Sequence, residues 1–198
     1  MTGPKPAKDA PFVVLVRELP LHKRFEVGGL LASQWLRGLP MRDALGAPDE
    51  DPQAGGGVAE LDLYAEGSHG FAAGTFKGFV TVACSRCIEP VRLDIDDKVR
   101  ITFMPAAEMP ADDDEPATGE DGKQLADEDL DLFPFDGERI DLEPFLREEL
   151  VLAIPYAPLC KEDCKGLCPQ CGADWNTETC ACEKPVDPRL AALKGLKL

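Results

Sequence analysis

Residues 76–103 read FKGFVTVACSRCIEPVRLDIDDKVRITF, and this stretch decides the fold. Its first half places four apolar side chains on one face: Phe76, Val80, Val82 and Cys84. Its second half places six on one side, with only Asp97 breaking the row: Val91, Leu93, Ile95, Val99, Ile101 and Phe103. A period of two is typical of antiparallel strands that have one buried and one solvated face. The sequence therefore predicts a hairpin whose tip carries Cys84 and Cys87.

The residues before this hairpin extend the same architecture. Val58–Ala65 alternates in the same way, and the apolar, β-branched run in Phe12–Leu19 predicts another strand. Gly29–Leu45 has a loose helical spacing that Pro40 interrupts. Residues 49–57 are rich in Pro and Gly, which favours a linker.

After the hairpin, regular structure is predicted to resume at Leu132–Phe135. Asp136-Gly137 is a turn signal, and Asp141 is a plausible N-cap for a helix through Ala153, which Pro155 terminates. The apolar stripe of this helix is Leu142, Phe145, Leu146, Leu150, Ala153 and Ile154. A last short amphipathic helix is predicted within 188–198. The expected fold class is α+β, an antiparallel sheet or partly closed barrel with a packed helix, followed by a C-terminal Cys-rich zinc knuckle. We expect one α+β domain over 1–157 and the knuckle with its short helix over 158–198.

Charge is unevenly distributed along the chain. The net charge is −16, and residues 108–131 contain eleven Asp or Glu against one Lys. We interpret about 104–130 as an acidic, disordered loop. So acidic a protein is poorly suited to hold phosphates by itself, and its surface would attract a basic partner.

Cellular location decides how the eight cysteines are interpreted. The N-terminus lacks the apolar stretch of a secretory signal, and no segment has the roughly 18 apolar residues that predict a membrane span, so we expect a cytoplasmic protein. Closely spaced cysteines in a reducing compartment are typical of metal ligands or redox thiols rather than disulfides.

Six cysteines lie between 160 and 182, and the segment Cys168-Pro-Gln-Cys171-Gly172 has the pattern of a zinc knuckle. Two intervening residues let both sulfurs face one ion, and the glycine permits a tight turn. Tetrahedral zinc needs four ligands, and both histidines are distant in sequence, so a closed all-cysteine structural site is expected. Cys168 and Cys171 are the strongest candidates, followed by Cys164 and Cys182, with Cys160 and Cys180 as alternates. Two four-cysteine sites are also possible, one of them pairing Cys84 and Cys87 with Cys160 and Cys164.

Enzymatic signatures are missing from the sequence. It contains no phosphate loop, nucleotide fingerprint, catalytic triad or HExxH motif, and we therefore predict no catalytic residue and no small-molecule substrate. Two alternatives stay open beside a structural zinc protein. One is a thiol redox protein or sensor that uses a CxxC pair, and the other is a general protein–protein adaptor that uses the acidic loop.

The assembled motifs resemble those of the YceD family, large ribosomal RNA subunit accumulation proteins. The resemblance covers roughly residues 58–198, and it is carried by the motifs CSRCIEP at 84–90, LFPFDGERID at 132–141, EPFLREELVLAIP at 143–155, LCKEDCKGLCPQCGAD at 159–174 and DPRLAALK at 187–194.

This resemblance implies a non-enzymatic factor that supports processing or accumulation of large-subunit ribosomal RNA. Its implied partner is a large-subunit precursor or a basic ribosomal protein, without any membrane contact. Direct RNA contact would be confined to the basic hairpin residues, namely Lys77, Arg86, Arg92, Lys98 and Arg100.

Overall fold

The computed structural model describes residues 10–109 and 132–182. Seven strands follow the order β1 (Val13–Leu15), β2 (Leu21–Val27), β3 (Gly55–Glu66), β4 (His69–Ala83), β5 (Pro90–Pro105), β6 (Leu132–Phe135) and β7 (Arg139–Asp141). The helices are α1 (Gly29–Trp35), α2 (Pro40–Asp43) and α3 (Glu143–Leu152), and a 3-10 helix spans Val16–Glu18. The structure is therefore α+β, as predicted.

The main sheet has five strands in the order β2-β3-β4-β5-β6. All its pairs are antiparallel except β5 with β6, which run parallel, and β1 pairs with β7 in a separate two-stranded sheet. Strands β2 to β5 thus pair antiparallel as predicted, whereas β6 makes the sheet mixed. The sheet is open within the described residues, so the alternative of a partly closed barrel is wrong. Crossing from β5 to β6 without a hairpin places β6 parallel to its neighbour.

The predicted hairpin is β4 with β5, in the register Val82↔Val91 through Gly70↔Phe103. Most of its inward side chains are buried, with Phe76, Val80 and Phe103 fully inaccessible, whereas Val91 and Leu93 near the tip are partly buried. Asp97, the break in the apolar row, is exposed. It pairs with Phe76 of β4, and on its other edge β5 has no strand partner there among the described residues. The opposite side of the sheet, here called the outer sheet face, is solvated. Alternation alone therefore predicted both strands and both faces.

Helix α3 covers the inner face of the sheet. Leu142, Phe145, Leu146 and Leu150 are all buried in the main core together with residues of β3, β4 and β5. The N-cap is Leu142 rather than the predicted Asp141, but the Asp141 carboxylate accepts a hydrogen bond of 3.0 Å from Glu143 N. Asp141 therefore stabilises the helix start from one position upstream.

Three parts of the prediction need correction. Residues 55–57 belong to β3 rather than to a linker, and they are glycines because the strands approach closely: a Cβ on Gly57 would lie 2.8 Å from Lys77 O. Strand β2 was not predicted, because its sequence, LHKRFEV, has charges between its few apolar residues. The run at Phe12–Leu19 forms only a three-residue strand before the 3-10 helix.

Several predictions lie outside the described residues. They are most of the acidic loop and the final amphipathic helix at 188–198. Met104 and Pro105, which were assigned to that loop, are the last residues of β5. The division into domains at residue 157 stays a prediction. No helix within 10–109 or 132–182 has the length and apolar character that a membrane crossing requires.

Candidate metal centres

The turn between β4 and β5 forms a knuckle around Cys84 and Cys87. Cys84 N donates to Glu89 O at 2.8 Å, and Ile88 N donates to Cys84 O at 3.0 Å. Closing the turn requires Ile88 to adopt a φ of 66°, the left-handed region that a β-branched residue strongly disfavours. Backbone strain of this kind persists where the surrounding structure enforces it, often at functional sites.

The segment 168–173 repeats the same backbone arrangement. Cys168 N donates to Ala173 O at 2.8 Å, and Gly172 N donates to Cys168 O at 2.9 Å. Gly172 has a φ of 75° and occupies the position equivalent to Ile88. The chain therefore contains two knuckles of one geometry, each presenting two sulfurs three residues apart.

The eight cysteines of the chain form two groups of four, and within each group all sulfurs lie within 4.8 Å of one another. The hairpin site contains Cys84, Cys87, Cys160 and Cys164, and the terminal site contains Cys168, Cys171, Cys180 and Cys182. This is the two-site arrangement left open by the sequence. The sequence ranking favoured a site formed by Cys168, Cys171, Cys164 and Cys182. In the structure Cys164 lies with the hairpin pair instead, and Cys180 joins Cys182 beside the second knuckle.

Sulfur separations test whether a tetrahedral ion fits. Cys84 Sγ and Cys164 Sγ are 3.8 Å apart, and Cys87 Sγ and Cys160 Sγ are 3.6 Å apart. Four sulfurs placed about 2.3 Å from a tetrahedral zinc ion lie roughly 3.8 Å from one another. All eight thiols are free, and these distances are far beyond the roughly 2 Å of a disulfide bond. The residues of the hairpin site therefore fit zinc, and the terminal site offers the same all-thiol donor set.

Burial and hydrogen bonding give the thiols of the hairpin site different pKa values. Burial alone would raise the pKa of Cys84, but N–H groups of Arg86, Cys160 and Cys87 outweigh it and lower that pKa to about 6. Burial raises the pKa of Cys87 to about 12, and the neighbouring sulfurs oppose a second negative charge. A divalent cation bound among these four crowded thiols would offset the mutual repulsion that keeps them from all ionising.

The terminal site shows the same pattern. Backbone N–H groups of Cys171 and Gln170 lower the pKa of Cys168 to about 6. The pKa of Cys182 is raised to about 12, with Cys171 as the largest cause. This site is more open, because only Cys168 is buried, whereas three of the four hairpin-site cysteines are.

Side chains outside the two clusters donate hydrogen bonds to the sulfurs. Trp175 Nε1 lies 3.3 Å from Cys180 Sγ, and Asn176 Nδ2 lies 3.4 Å from Cys164 Sγ. Donors to ligand sulfurs orient a metal site and tune its affinity. Sequence reasoning identified neither Trp175 nor Asn176 as a sulfur donor, because neither has a sequence pattern that identifies its target.

Comparison with known proteins identifies the family of this chain. A family model described as large ribosomal RNA subunit accumulation protein YceD matches residues 72–197. The chain belongs to the YceD family. The match includes both knuckles, helix α3 and strands β5 to β7, which confirms the resemblance drawn from the motifs.

Curated relatives are found in bacteria and plants, and the plant relative carries the family's name. An uncharacterised protein of Mycobacterium tuberculosis is 33% identical over 140 residues, which cover 70% of this chain and 61% of the relative. The large ribosomal RNA subunit accumulation protein YCED homolog 1, chloroplastic, of Zea mays is 33% identical over 138 residues, covering 62% of this chain and 47% of the relative. An uncharacterised Bacillus subtilis protein is 42% identical over 71 residues, 35% of this chain and 41% of its own. The chain thus spans about three fifths or less of these relatives' lengths. No solved structure matches the chain.

The basic residues proposed for RNA contact are placed in two locations. Lys77, Arg92, Lys98 and Arg100 lie on the outer sheet face, and Arg86 lies at the hairpin tip.

Acidic side chains alternate with these basic ones. Lys77 Nζ pairs with Asp96 at 3.2 Å, and Arg92 Nε pairs with Asp94 at 3.0 Å. Arg86 Nη1 donates to Cys164 O at 2.8 Å, so this residue holds the hairpin site together. The structure therefore brings four of the five basic residues onto one face but does not form a continuous basic strip there.

Proposed function

We propose that this protein is a non-enzymatic factor for accumulation or processing of large-subunit ribosomal RNA, with structural zinc in its two four-cysteine sites. The observation that carries the proposal is the family match over residues 72–197, which includes both knuckles. The relatives in Zea mays and Arabidopsis thaliana are named as large ribosomal RNA subunit accumulation proteins. We infer that it acts in the cytoplasm, the location expected from its sequence.

The form of the metal sites favours a structural role. Each site supplies four thiolates, which fill the tetrahedral sphere of zinc and leave no position for a substrate or a reactive water. Zinc bound there would link the β4–β5 hairpin to the segment that begins at Cys160, which is 73 residues beyond Cys87. Zinc supplies no redox chemistry, and a closed thiolate site stabilises the fold.

Charge favours a basic protein over naked RNA as the contact. The net charge is −16, and two of the outer-face cations are neutralised by Asp94 and Asp96. RNA affinity depends on clustered Lys and Arg that release counterions. A basic ribosomal protein of the large subunit is therefore the proposed partner.

Sedimentation and genetics test the ribosomal role. Tagged protein should co-migrate with large-subunit precursors in a sucrose gradient, and its depletion should lower 23S relative to 16S ribosomal RNA. Re-expression of the intact chain should restore the ratio, with re-expression of residues 1–157 as a truncated comparison. If depletion leaves the ratio unchanged and the protein never enters the precursor fractions, the proposal is wrong.

Metal analysis separates this proposal from the thiol redox alternative. We expect about two zinc ions per chain and thiols that react slowly with an alkylating reagent until a chelator is added. Rapid alkylation of one CxxC pair in protein that contains no zinc would favour the redox alternative.

A further inference from the structure

Asn176 connects the two cysteine sites. It lies in the chain between Cys171 and Cys180 of the terminal site, yet its Nδ2 donates to Cys164 Sγ of the hairpin site at 3.4 Å. Its Oδ1 accepts from Lys165 N at 3.0 Å. The loop between Cys171 and Cys180 is here called the terminal loop. One of its side chains therefore bonds both to a hairpin-site sulfur and to the backbone beside that cysteine.

The terminal loop fixes Asn176 in this position. Asp174 Oδ1 accepts from Asn176 N at 2.9 Å and from Asn176 Nδ2 at 2.7 Å. Trp175 N donates to Gly166 O at 3.0 Å, which aligns the loop with the segment after Cys164. The orientation of the amide that faces Cys164 is thus set by residues 174–175.

The same segment also contacts the hairpin turn from its other side. Leu167 N donates to Arg86 O at 3.1 Å, and Arg86 Nη1 donates to Cys164 O at 2.8 Å. Residues 164–167 therefore lie between the hairpin knuckle and the terminal loop. If the loop between Cys171 and Cys180 becomes less ordered, the hydrogen bond from Asn176 to Cys164 Sγ is weakened.

This contact has an energetic consequence. An N–H donor stabilises the thiolate form that a metal requires, and losing such a donor typically weakens a metal site about 10- to 100-fold. Without a metal in the terminal site, the loop between Cys171 and Cys180 is not cross-linked, and holding Asn176 in place costs conformational entropy. Metal in the terminal site removes that cost before the hairpin site fills.

We propose that the two four-cysteine sites bind divalent metal with positive cooperativity, and that Asn176 is the positioning residue that carries the coupling. The inference rests on the metal-binding part of the proposed function and is independent of the ribosomal role.

Cobalt titration of the full-length, metal-free, reduced chain measures the coupling. Co²⁺ bound by thiolates absorbs in the visible and near ultraviolet, so each bound ion can be counted. Cys171→Ser leaves only the hairpin site, and Cys160→Ser leaves only the terminal site; both residues are the exposed members of their sites, so their replacement disturbs packing least. The coupling factor is the product of the two association constants of the unsubstituted chain divided by the product of the two single-site constants.

The expected coupling factor is about tenfold or more, and Asn176→Ala should bring it close to one. Thr177→Ala is the matched control, because its hydroxyl lies 3.5 Å from Asp174 and does not contact a sulfur. This control should keep the full coupling factor. Circular dichroism of each variant checks that the sheet is folded; should Asn176→Ala unfold, Asn176→Asp places an oxygen against the thiolate and must reduce the coupling instead.

Two results would overturn the proposal. One is a coupling factor near one in the unsubstituted chain, which leaves two independent sites and the rest of the proposed function intact. The other is a coupling factor that Asn176→Ala does not change. A chain that binds no Co²⁺ would refute the metal sites themselves, whereas the gradient and the ribosomal RNA ratio report separately on the ribosomal role.

Discussion

Two glycines with the same backbone conformation allow the contact between the hairpin and the terminal segment to be measured. Gly166 has a φ of 76° and Gly172 a φ of 75°, so alanine is equally disfavoured at both. They differ in their surroundings: a Cβ on Gly172 would meet nothing within 4 Å, whereas a Cβ on Gly166 would lie 2.9 Å from Arg86 O. Comparing alanine at these two glycines therefore distinguishes the cost of backbone strain, which both share, from the cost of the close approach to Arg86, which only Gly166 has.

The expected magnitudes follow from these surroundings. A left-handed alanine costs about 1–2 kcal/mol, partly offset by a less flexible unfolded chain at about 0.4–1 kcal/mol, so Gly172→Ala should lower the free energy of unfolding by about 1 kcal/mol. Gly166→Ala adds displacement of Arg86, which disturbs the Leu167 N–Arg86 O and Arg86 Nη1–Cys164 O hydrogen bonds. At about 1 kcal/mol each, these raise the expected loss to about 3 kcal/mol.

Urea unfolding of the metal-loaded chains, followed by circular dichroism, measures both losses. Gly166→Ala should also weaken Co²⁺ binding at the hairpin site, because Cys164 loses a contact that positions it, while Gly172→Ala should act mainly on the terminal site. Equal losses of stability in the two variants would refute the reasoning, since they would mean that residue 166 does not pack on the hairpin turn.

Three further predictions concern the remaining polar contacts and the metal. Burial alone would raise the pKa of Asp136, but the Arg139 side chain and nearby N–H groups outweigh it and hold that pKa well below the usual range. A carboxyl group whose pKa is lowered in the folded state stabilises the protein above its ordinary pKa of about 3.9, and this stabilisation is lost as the pH falls. Asp136→Asn should therefore make the free energy of unfolding fall less steeply with decreasing pH below about pH 5. An unchanged slope would contradict this prediction. Arg42 and Asp51 form an ion pair in which the Arg42 side chain is 7% exposed, so Arg42→Ala and Arg42→Met should each cost about 3–5 kcal/mol in urea unfolding, because both leave the Asp51 carboxylate without its cation; a loss below about 1 kcal/mol for Arg42→Met would argue against the buried pair. Removal of zinc with a chelator should lower the melting temperature of the reduced chain, and zinc should restore it; a melting temperature that does not respond would argue against structural metal.

The sequence predicted the elements whose pattern is local and strongly periodic. Strands β4 and β5 and helix α3 each bury one regular face, and such a face is visible in residue order alone. Strand β2 was missed because an edge strand with a solvated face needs few apolar residues, and the parallel pairing of β6 was missed because no local pattern encodes strand order. The glycines of β3 were misread because a close approach of two strands and a linker select the same residue type.

The candidate site was predictable in its chemistry but not in its pairing. CxxC spacing identified Cys168 and Cys171, and it also identified Cys84 and Cys87, because each pair is contained in one turn. Which further sulfurs complete each group depends on how the segment after residue 157 lies against the hairpin, and no spacing rule contains that information. The equivalence of Ile88 and Gly172 was hidden for the same reason, since isoleucine gives no sign of a left-handed residue.

The equivalence of Ile88 and Gly172 bears on what holds the hairpin knuckle closed. Isoleucine in the left-handed region costs free energy that a glycine at the same place would avoid, and its side chain is 47% exposed, so burial recovers only part of the cost. The remaining contacts of the turn must therefore hold the knuckle closed. They include the Ser85 N–Pro158 O hydrogen bond of 2.8 Å, the Arg86 contacts and the sulfurs of Cys160 and Cys164. All of these come from the segment beyond residue 157, so the hairpin tip depends on that segment for its shape, and the hairpin in turn supplies two of the four cysteines of the hairpin site.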